Sequence, residues 1–357
     1  MGQKVYVPIL WTKEGELGAL RQLPAAVKDR LLPFFEVPPP TWDHVHDCPA
    51  KTLDQHLDKL VPKVSAAWGS QDRAFLDLEW IPSADRMANG SHPVTYVFES
   101  ARKYGLQIVP VVTATRDSEY LSAVSAVAQR DRRGVCFRML LDDLETSDIA
   151  QVIRQLLNQA GTTTTETDLI LDVKDLRASR LEEVIRDLPE LIGRVPNVER
   201  WRSFALAGTG FPDSLAGLPK LKISRIKRTE WELWRDIRKR RLRRQPIFGD
   251  YGVGSPAYPD VDPRVMKPSA AIRYTADGDW VIIKGKNLKD HGFGQFHDVC
   301  RALIGSKVYK GRAFSWGDDY INDCAEGQTG PGNLTTWRKV GTSHHLTFVV
   351  KQIASAS

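Results

Sequence analysis

Short apolar runs separated by segments of helical periodicity fill the first 255 residues of the chain. Eight such runs recur about every 30–40 residues, the length that one strand, one helix and two loops require. They are Val5–Leu10, Leu32–Val37, Ala74–Trp80, Gln107–Val112, Val135–Leu141, Leu169–Val173, Ser203–Ala207 and Pro246–Tyr251. Between two of them, Leu181–Leu188 places apolar residues at positions i, i+3, i+4 and i+7, the pattern of one helix face. Strands that alternate with helices predict parallel βαβ units.

The number and spacing of these units predict a closed barrel. Eight units in about 250 residues match the (β/α)8, or TIM-type, barrel, which we assign to residues 1–255. An open, doubly wound sheet is the main alternative. Its phosphate-binding GxGxxG sequence is absent, because Trp11-Thr12-Lys13-Glu14-Gly15 follows the first predicted strand.

The pattern changes after the eighth predicted strand. Residues 256–357 are expected to form a smaller α+β region packed on or near the barrel mouth. The sequence predicts a linker or long loop at Gly252–Pro268, a β-hairpin of Ala271–Tyr274 and Trp280–Lys284, a helix near Gly294–Leu303 and a last strand at Thr342–Val350. Glycine and proline density indicates the loop, and an Asp-Gly pair between two β-rich runs indicates the hairpin.

Composition narrows the class of protein. Hydrophobic residues make up 42% of the 357 residues and charged residues 26%, as in ordinary globular proteins. No apolar stretch approaches the ~18 residues of a membrane span, and Val5–Leu10 is too short for a signal-peptide core. Cys48, Cys136, Cys300 and Cys324 are scattered without a CxxC pair, which favours reduced thiols. We therefore expect a cytoplasmic protein without a membrane partner.

The positive charge is unevenly distributed. The chain carries 50 Lys and Arg against 44 Asp and Glu, a net charge of +6. Eleven of the basic residues fall between Lys222 and Arg244, which favours a phosphate-containing ligand or a nucleic acid as partner. Trp231 and Trp234 lie in the same segment, where they would either stack on bases or pack beneath an outer barrel helix.

Charged residues occupy the C-terminal ends of the predicted barrel strands, where barrel enzymes place their reactive groups. They are Glu36, Asp77, Glu79, Arg138, Asp172, Lys174 and Asp250. Since side chains alternate along a strand, these residues face the barrel axis if the intervening apolar residues face the helices. The sequence thus predicts one charged cluster, with Asp77, Glu79, Asp172, Lys174 and Asp250 as candidate catalytic residues.

Carboxylates without a clear histidine partner suit a hard cation, Mg²⁺ or Mn²⁺. Glu36, Asp77 and Asp250 are the candidate ligands, and such a cation would polarise a phosphoryl oxygen and activate water. In the alternative interpretation, arginine and lysine neutralise the carboxylates and the cluster is structural. Lys174 would support Schiff-base chemistry only with a lowered pKa, which the flanking carboxylates oppose.

A second set of residues is assigned to substrate binding: Arg138, Gly208, Arg228, Tyr251, Arg338, His344 and His345. Gly208 and Gly210 follow the seventh strand, where backbone N–H groups often bind phosphate in this fold, although a plain turn is the alternative. If the C-terminal region forms a lid, Arg338 and the two histidines would lie over the charged cluster.

Several short motifs together resemble the Beta protein family of phages and bacteria. They are Tyr6-Val7-Pro8-Ile9-Leu10-Trp11, Phe35-Glu36-Val37, Arg228-Thr229-Glu230-Trp231, Phe248-Gly249-Asp250-Tyr251-Gly252, and Trp337-Arg338 with His344-His345. The resemblance covers nearly the whole chain. It implies a phage or phage-defence setting and a common role for Asp250, Tyr251, Trp231 and the two histidines. It implies no catalytic assignment.

Two functions follow as hypotheses. The first is a metal-assisted hydrolase of phosphodiesters or nucleotides, in which Arg138 and Lys174 neutralise phosphate charge. The second is a non-catalytic barrel that binds a nucleic acid, a phage protein or a small ligand and acts with a partner. A mouth filled by mutually paired charges would favour the second hypothesis.

Overall fold

Eight parallel strands close into a barrel in the computed structural model, which describes residues 4–69, 72–146, 148–258, 262 and 264–356. The strands of the chain are β1 (Tyr6–Trp11), β2 (Phe34–Glu36), β3 (Trp42–Asp43), β4 (Cys48–Pro49), β5 (Ala74–Asp77), β6 (Ile108–Thr113), β7 (Val135–Leu140), β8 (Thr167–Asp175), β9 (Ser203–Thr209), β10 (Ile223–Lys227), β11 (Ile247–Asp250), β12 (Ser269–Thr275) and β13 (Asp279–Asn287). The barrel order is β1-β11-β9-β8-β7-β6-β5-β2. All eight predicted barrel strands are confirmed.

The α-helices of the described residues lie between these strands or after the last of them. They are α1 (Glu14–Gln22), α2 (Ala25–Lys28), α3 (Leu53–Leu57), α4 (Leu60–Trp68), α5 (Pro93–Lys103), α6 (Ser118–Asp131), α7 (Leu141–Glu145), α8 (Ile149–Ala160), α9 (Leu181–Arg194), α10 (Thr229–Arg238), α11 (Leu288–His291), α12 (Phe296–Ile304), α13 (Trp316–Glu326) and α14 (Leu334–Ala356). The predicted helix at residues 181–188 is confirmed and continues past Pro189 to Arg194.

The last helix of the chain completes the outer layer of the barrel. In α14, Leu346, Val349 and Ile353 share one hydrophobic core with Tyr6 of β1 and Phe248 of β11. Because β1 and β11 are neighbours in the barrel, α14 takes the place of the eighth barrel helix. The segment between β11 and α14 is therefore an insertion.

This insertion builds a small three-stranded sheet of order β10-β13-β12. The predicted hairpin is confirmed as β12 and β13, which pair antiparallel. Strand β10 comes from the chain between β9 and α10 and pairs with β13, which the sequence did not predict. Of the predicted linker, residues 259–261 and 263 lie outside the described residues. The division of the chain after residue 255 stays a prediction.

The predicted strand at Thr342–Val350 is wrong, since these residues lie within α14. Its β-branched residues resemble a buried strand, but α14 is covered on several sides and buries thirteen residues, so it lacks the polar face of a surface helix. Within the described part of the chain, no helix combines the length and apolar character needed to cross a membrane.

Candidate functional site

Arg138 lies fully buried at the C-terminal end of the barrel, on β7. Its Nη1 donates hydrogen bonds to Glu36 Oε1 at 2.8 Å, Asp77 Oδ2 at 3.0 Å and Glu79 Oε2 at 3.1 Å. The three carboxylates come from β2, β5 and the loop after β5. The predicted convergence of these residues at one barrel mouth is confirmed by their contacts.

The opposite edge of the same guanidinium contacts two further groups. Nε donates to Asp172 Oδ2 at 2.8 Å, and Nη2 donates to the Tyr251 hydroxyl at 2.6 Å. The Tyr251 hydroxyl in turn donates to Asp172 Oδ2 at 2.5 Å. Burial raises the pKa of Tyr251 well above its usual value, which keeps the hydroxyl protonated and able to donate.

Two more cations complete this group. Arg116 Nη2 donates to Asp77 Oδ1 at 3.1 Å, and Lys174 Nζ lies 3.7 Å from Glu79 Oε2. Lys174 adopts a left-handed backbone conformation, φ 52°, which is uncommon for a non-glycine residue and is often found at functional sites. We call the following eight residues the mouth cluster: Glu36, Asp77, Glu79, Arg116, Arg138, Asp172, Lys174 and Tyr251.

Glu36 is the most perturbed carboxyl group in the mouth cluster. Burial raises the pKa of Glu36 to about 7, although Arg138 and Lys174 act in the opposite direction. Its Oε2 is buried and has no hydrogen-bond partner among the described residues. Glu79, beside it, keeps about a third of its side chain exposed. A carboxyl that titrates near neutral pH next to an accessible carboxylate is suited to general acid–base chemistry.

Three aromatic rings flank the mouth cluster. Trp11, Trp80 and Tyr258 have ring centres 5.5–5.9 Å apart, and all three are half-buried. Trp11 is the register partner of Glu36 across β1 and β2, and Trp80 directly follows Glu79, so both rings neighbour the mouth cluster along the backbone. The Lys13 ammonium lies 4.4 Å from the ring centre of Tyr258. We call Trp11, Trp80 and Tyr258 the aromatic wall.

The position proposed for a metal overlaps with Arg138. Oxygens of Glu36, Asp77 and Glu79 lie within 4.8 Å of one another, as metal ligands require. Yet Nη1 of Arg138 donates to all three carboxylates and thus takes the place of a cation. The residues present do not fit a divalent ion while Arg138 holds this position. Mg²⁺ or Mn²⁺ stays a prediction from the sequence.

Asp250 does not join the mouth cluster, so its predicted inward orientation is wrong. Its carboxylate points out of the barrel, where it accepts a hydrogen bond from the Tyr6 hydroxyl at 2.5 Å and contacts His345 Nε2 at 2.9 Å. Burial tends to raise the pKa of Asp250, but His345, Arg228 and Tyr6 together outweigh burial, and the pKa lies below its usual value. This carboxylate therefore anchors α14 to the barrel wall.

The two histidines and Arg338 also lie away from the mouth cluster. His345 Nδ1 contacts Thr275 Oγ1 at 2.8 Å, while His344 Nδ1 contacts Asp318 Oδ2 at 2.9 Å. Both histidines are fully buried. Arg338 Nη1 donates to the carbonyl of Val253 at 2.9 Å. Neighbouring side chains on a helix point about 100° apart, so His345 contacts Asp250 of the barrel while His344 contacts Asp318 of the inserted region.

Gly208 and Arg228 have structural partners instead of an open site. A Cβ at Gly208 would lie 2.4 Å from Val173 Cγ2, so close packing accounts for this glycine. The N–H of Gly210 donates to Glu230 Oε2 at 2.8 Å, which means that the protein supplies its own anion there. Arg228 is buried and donates to Glu230 Oε1 at 3.2 Å.

Of the two interpretations of Trp231 and Trp234, packing against the barrel is confirmed and stacking on bases is not. The two side chains are 4% and 3% exposed. Their rings stack on each other with centres 5.1 Å apart and contact Phe248 of β11. Both tryptophans pack α10 onto the barrel, the second of the two interpretations.

Sequence reasoning missed Arg116 and the aromatic wall. Arg116 follows β6 by three residues, so its position after a barrel strand was an available signal. Trp11 ends β1, whereas Trp80 and Tyr258 follow β5 and β11, so their proximity depends on the order of strands in the closed barrel.

Fold and site together define the class: a (β/α)8 barrel with an arginine-centred acid–base cluster at the C-terminal ends of its strands. The family model described as Beta protein matches residues 6–351. The chain therefore belongs to the Beta protein family, which confirms the resemblance. Among curated proteins, none matches the chain.

Proposed function

We propose that the barrel mouth is a metal-independent hydrolase site for a nucleoside or nucleotide, and that the bond it cleaves is the N-glycosidic bond. The observation that carries the proposal is the Glu36 carboxyl, which has a pKa of about 7 and a buried Oε2 without a hydrogen-bond partner among the described residues, beside the partly exposed Glu79. In such a pair, one carboxyl can protonate a leaving group while the other accepts a proton from the attacking water molecule.

The charge of the mouth cluster favours this bond over a phosphodiester. Four carboxylates face three cations, and Arg138 is committed to the carboxylates. A phosphoryl group would be repelled by the Glu79 carboxylate, and by Glu36 once it is ionised, unless a metal intervened. Cleavage at an anomeric carbon develops positive charge instead, which neighbouring carboxylates stabilise.

The aromatic wall supports a planar base as the leaving group. Aromatic side chains stack on any nucleobase and contribute about 1–3 kcal/mol per base. In the proposed reaction, Glu36 donates a proton to the departing base nitrogen as its bond to the anomeric carbon breaks. Water adds to that carbon, and Glu79 accepts the proton that water releases. Lys13 and Lys174 lie at the same mouth and would balance a 5′-phosphate.

A second function is favoured by a specific observation, the mutual pairing of charges around Arg138. A barrel whose mouth is neutralised internally can bind a nucleotide or a partner protein without chemistry. A phage or phage-defence setting, which the resemblance implies, belongs to either proposal.

Chromatographic detection of free base from a panel of nucleosides, nucleotides and dinucleotides, in EDTA, separates the two functions. The hydrolase proposal expects base release that Glu36→Gln and Glu79→Gln each lower by about 10²–10⁴-fold. The exposed Glu145→Gln is the matched control and should retain activity.

Calorimetric titration then decides the remaining outcomes. Saturable nucleotide binding without base release would replace the hydrolase by the binding barrel. If the protein shows neither nucleotide binding nor base release, the mouth cluster is a structural element. Titration with Mg²⁺ and Mn²⁺ of the wild type, Asp77→Ala and Asp172→Ala tests the metal: saturable binding lost in both variants would overturn metal independence.

A further inference from the structure

The face of the barrel opposite the mouth cluster is strongly basic. Loops that precede parallel barrel strands lie together at the N-terminal end of the barrel. Six exposed arginines occupy three of these loops. They are Arg132 before β7, Arg200 before β9, and Arg238, Arg240, Arg241 and Arg243 before β11. We call these six residues the basic face.

Contacts between the loops show that the basic face is continuous. Arg244 donates hydrogen bonds to the carbonyls of Trp201 and Arg202, which joins the loops before β11 and β9. Arg202 Nη1 donates to the carbonyl of Arg133 at 2.6 Å, which joins the loops before β9 and β7. The strand order β11-β9-β8-β7 places the loops before β11 and β9 side by side, and it places the loop before β8, with the exposed Glu166, between the loops before β9 and β7.

The positive charge on this face is concentrated in residues 238–244. Six of the seven residues 238–244 are Lys or Arg and none is acidic, so this run alone equals the +6 net charge of the chain. None of the six arginines forms an ion pair within 4.0 Å among the described residues. Of the nearby acids, Asp236 pairs with Lys239 at 3.1 Å and Asp131 with Arg102 at 2.9 Å, while the exposed Glu166 and Glu199 each oppose one positive charge.

We infer that the basic face binds the phosphate backbone of a nucleic acid. The guanidinium groups of unpaired arginines can donate two hydrogen bonds to the oxygens of one phosphate. A nucleic-acid backbone places several phosphates in a row, so several arginines bind at once and the release of counterions increases the affinity. Tyr104, in the loop before β6, is 47% exposed beside this face and offers a ring for stacking. The inference differs from the stacking surface predicted at Trp231 and Trp234, and it does not depend on the proposed reaction at the mouth.

The fold divides the basic stretch of the sequence between two places. Lys222 and Lys227 lie at or beside β10 in the small sheet, whereas residues 238–244 run from the last residue of α10 along the N-terminal end of the barrel. This division supplies a matched control. Replacing Arg240, Arg241 and Arg243 with glutamate changes the net charge as much as replacing Lys220, Lys222 and Lys227 with glutamate.

Fluorescence anisotropy with a labelled 20-base-pair DNA duplex, the same-length single strand and an RNA strand, each at 50–200 mM salt, tests the inference. We expect wild-type binding with a steep salt dependence. The Arg240→Glu, Arg241→Glu, Arg243→Glu variant should lose at least about tenfold in affinity and lower the salt slope by about 2–3, since each duplex phosphate contact contributes about 0.9. The Lys220→Glu, Lys222→Glu, Lys227→Glu control should remain within about twofold of wild type.

Equal losses in the two triple variants would overturn the inference, because net charge and not the face would then determine binding. Absence of wild-type binding to all three probes at 50 mM salt would also overturn it. Thermal unfolding of each variant verifies that the barrel is intact. Base release at the mouth is measured separately, so either proposal can fail without the other.

Discussion

Replacing Glu36 with glutamine should change how the stability of the protein depends on pH. Glu36 is buried, and its pKa is raised from 4.5 to about 7, chiefly by burial. Between these two values the unfolded chain carries an ionised carboxylate while the folded chain holds the proton. The folded state then binds more protons, so the free energy of unfolding falls as pH rises. The stability contribution is full below pH 4.5 and lost by about pH 7.

The size of the effect follows from the same two values. Because one pKa unit corresponds to about 1.4 kcal/mol, raising the pKa from 4.5 to about 7 lowers the free energy of unfolding by about 3 kcal/mol above neutral pH. Glutamine keeps an oxygen that accepts from Arg138 Nη1 and does not titrate. Glu36→Gln should therefore gain about 3 kcal/mol relative to wild type between pH 4.5 and pH 8.

Urea unfolding of wild type and Glu36→Gln at several pH values in this range measures the difference. Any fixed cost of the buried amide cancels, since only the change with pH is compared. Glu145→Gln, the same substitution at an exposed position, should show no such trend. A constant difference between Glu36→Gln and wild type across this range would refute the reasoning, because Glu36 would then ionise at its usual pKa.

Two further predictions concern packing and buried charge. Arg138→Met removes the cation from Glu36, Asp77 and Asp172. Because breaking a buried ion pair is costly, the free energy of unfolding, measured with urea at pH 7, should fall by about 3–5 kcal/mol. A fall of less than about 1 kcal/mol would show that other groups compensate the carboxylates. Gly208→Ala places a Cβ about 2.4 Å from Val173 and should cost about 1–3 kcal/mol through overpacking. Adding Val173→Ala should recover part of that loss, and a purely additive double variant would exclude this contact as the cause.

The barrel was readable from the sequence because parallel strands are buried on both faces and appear as short apolar runs. Alternation of side chains then placed Asp77 and Asp172 inside the barrel, and their contacts with Arg138 confirm it. The alternation of side chains also predicts the outward orientation of Asp250 when it is applied from Phe248. Asp250 and Phe248 are two residues apart and share a face, and Phe248 packs in the outer core. When an apolar residue of a strand faces the helices, the residue two positions later faces them as well.

Helix α14 could not be recognised by the same logic. A surface helix shows a 3.6-residue apolar stripe, but α14 lies between the barrel and the small region and is buried on several sides. Its run of Thr and Val residues therefore resembles a strand. The partners of His344 and His345 are separated from them by 26 to 339 residues along the chain. Only the arrangement of the inserted region brings these partners together.

The inserted region packs on the barrel because, within the described residues, the barrel lacks a helix over one of its grooves until α14. A barrel needs a helix over the groove between its eighth and first strands, where Tyr6, Phe248 and Asp250 point outward. Here that helix comes only after the inserted sheet and three further helices. Residues of α14, which lie far beyond the last barrel strand in the sequence, thus cover the barrel wall. His345 contacts the Asp250 carboxylate there. Since an uncompensated buried carboxylate is costly, the inserted region and the barrel depend on each other for a closed outer layer.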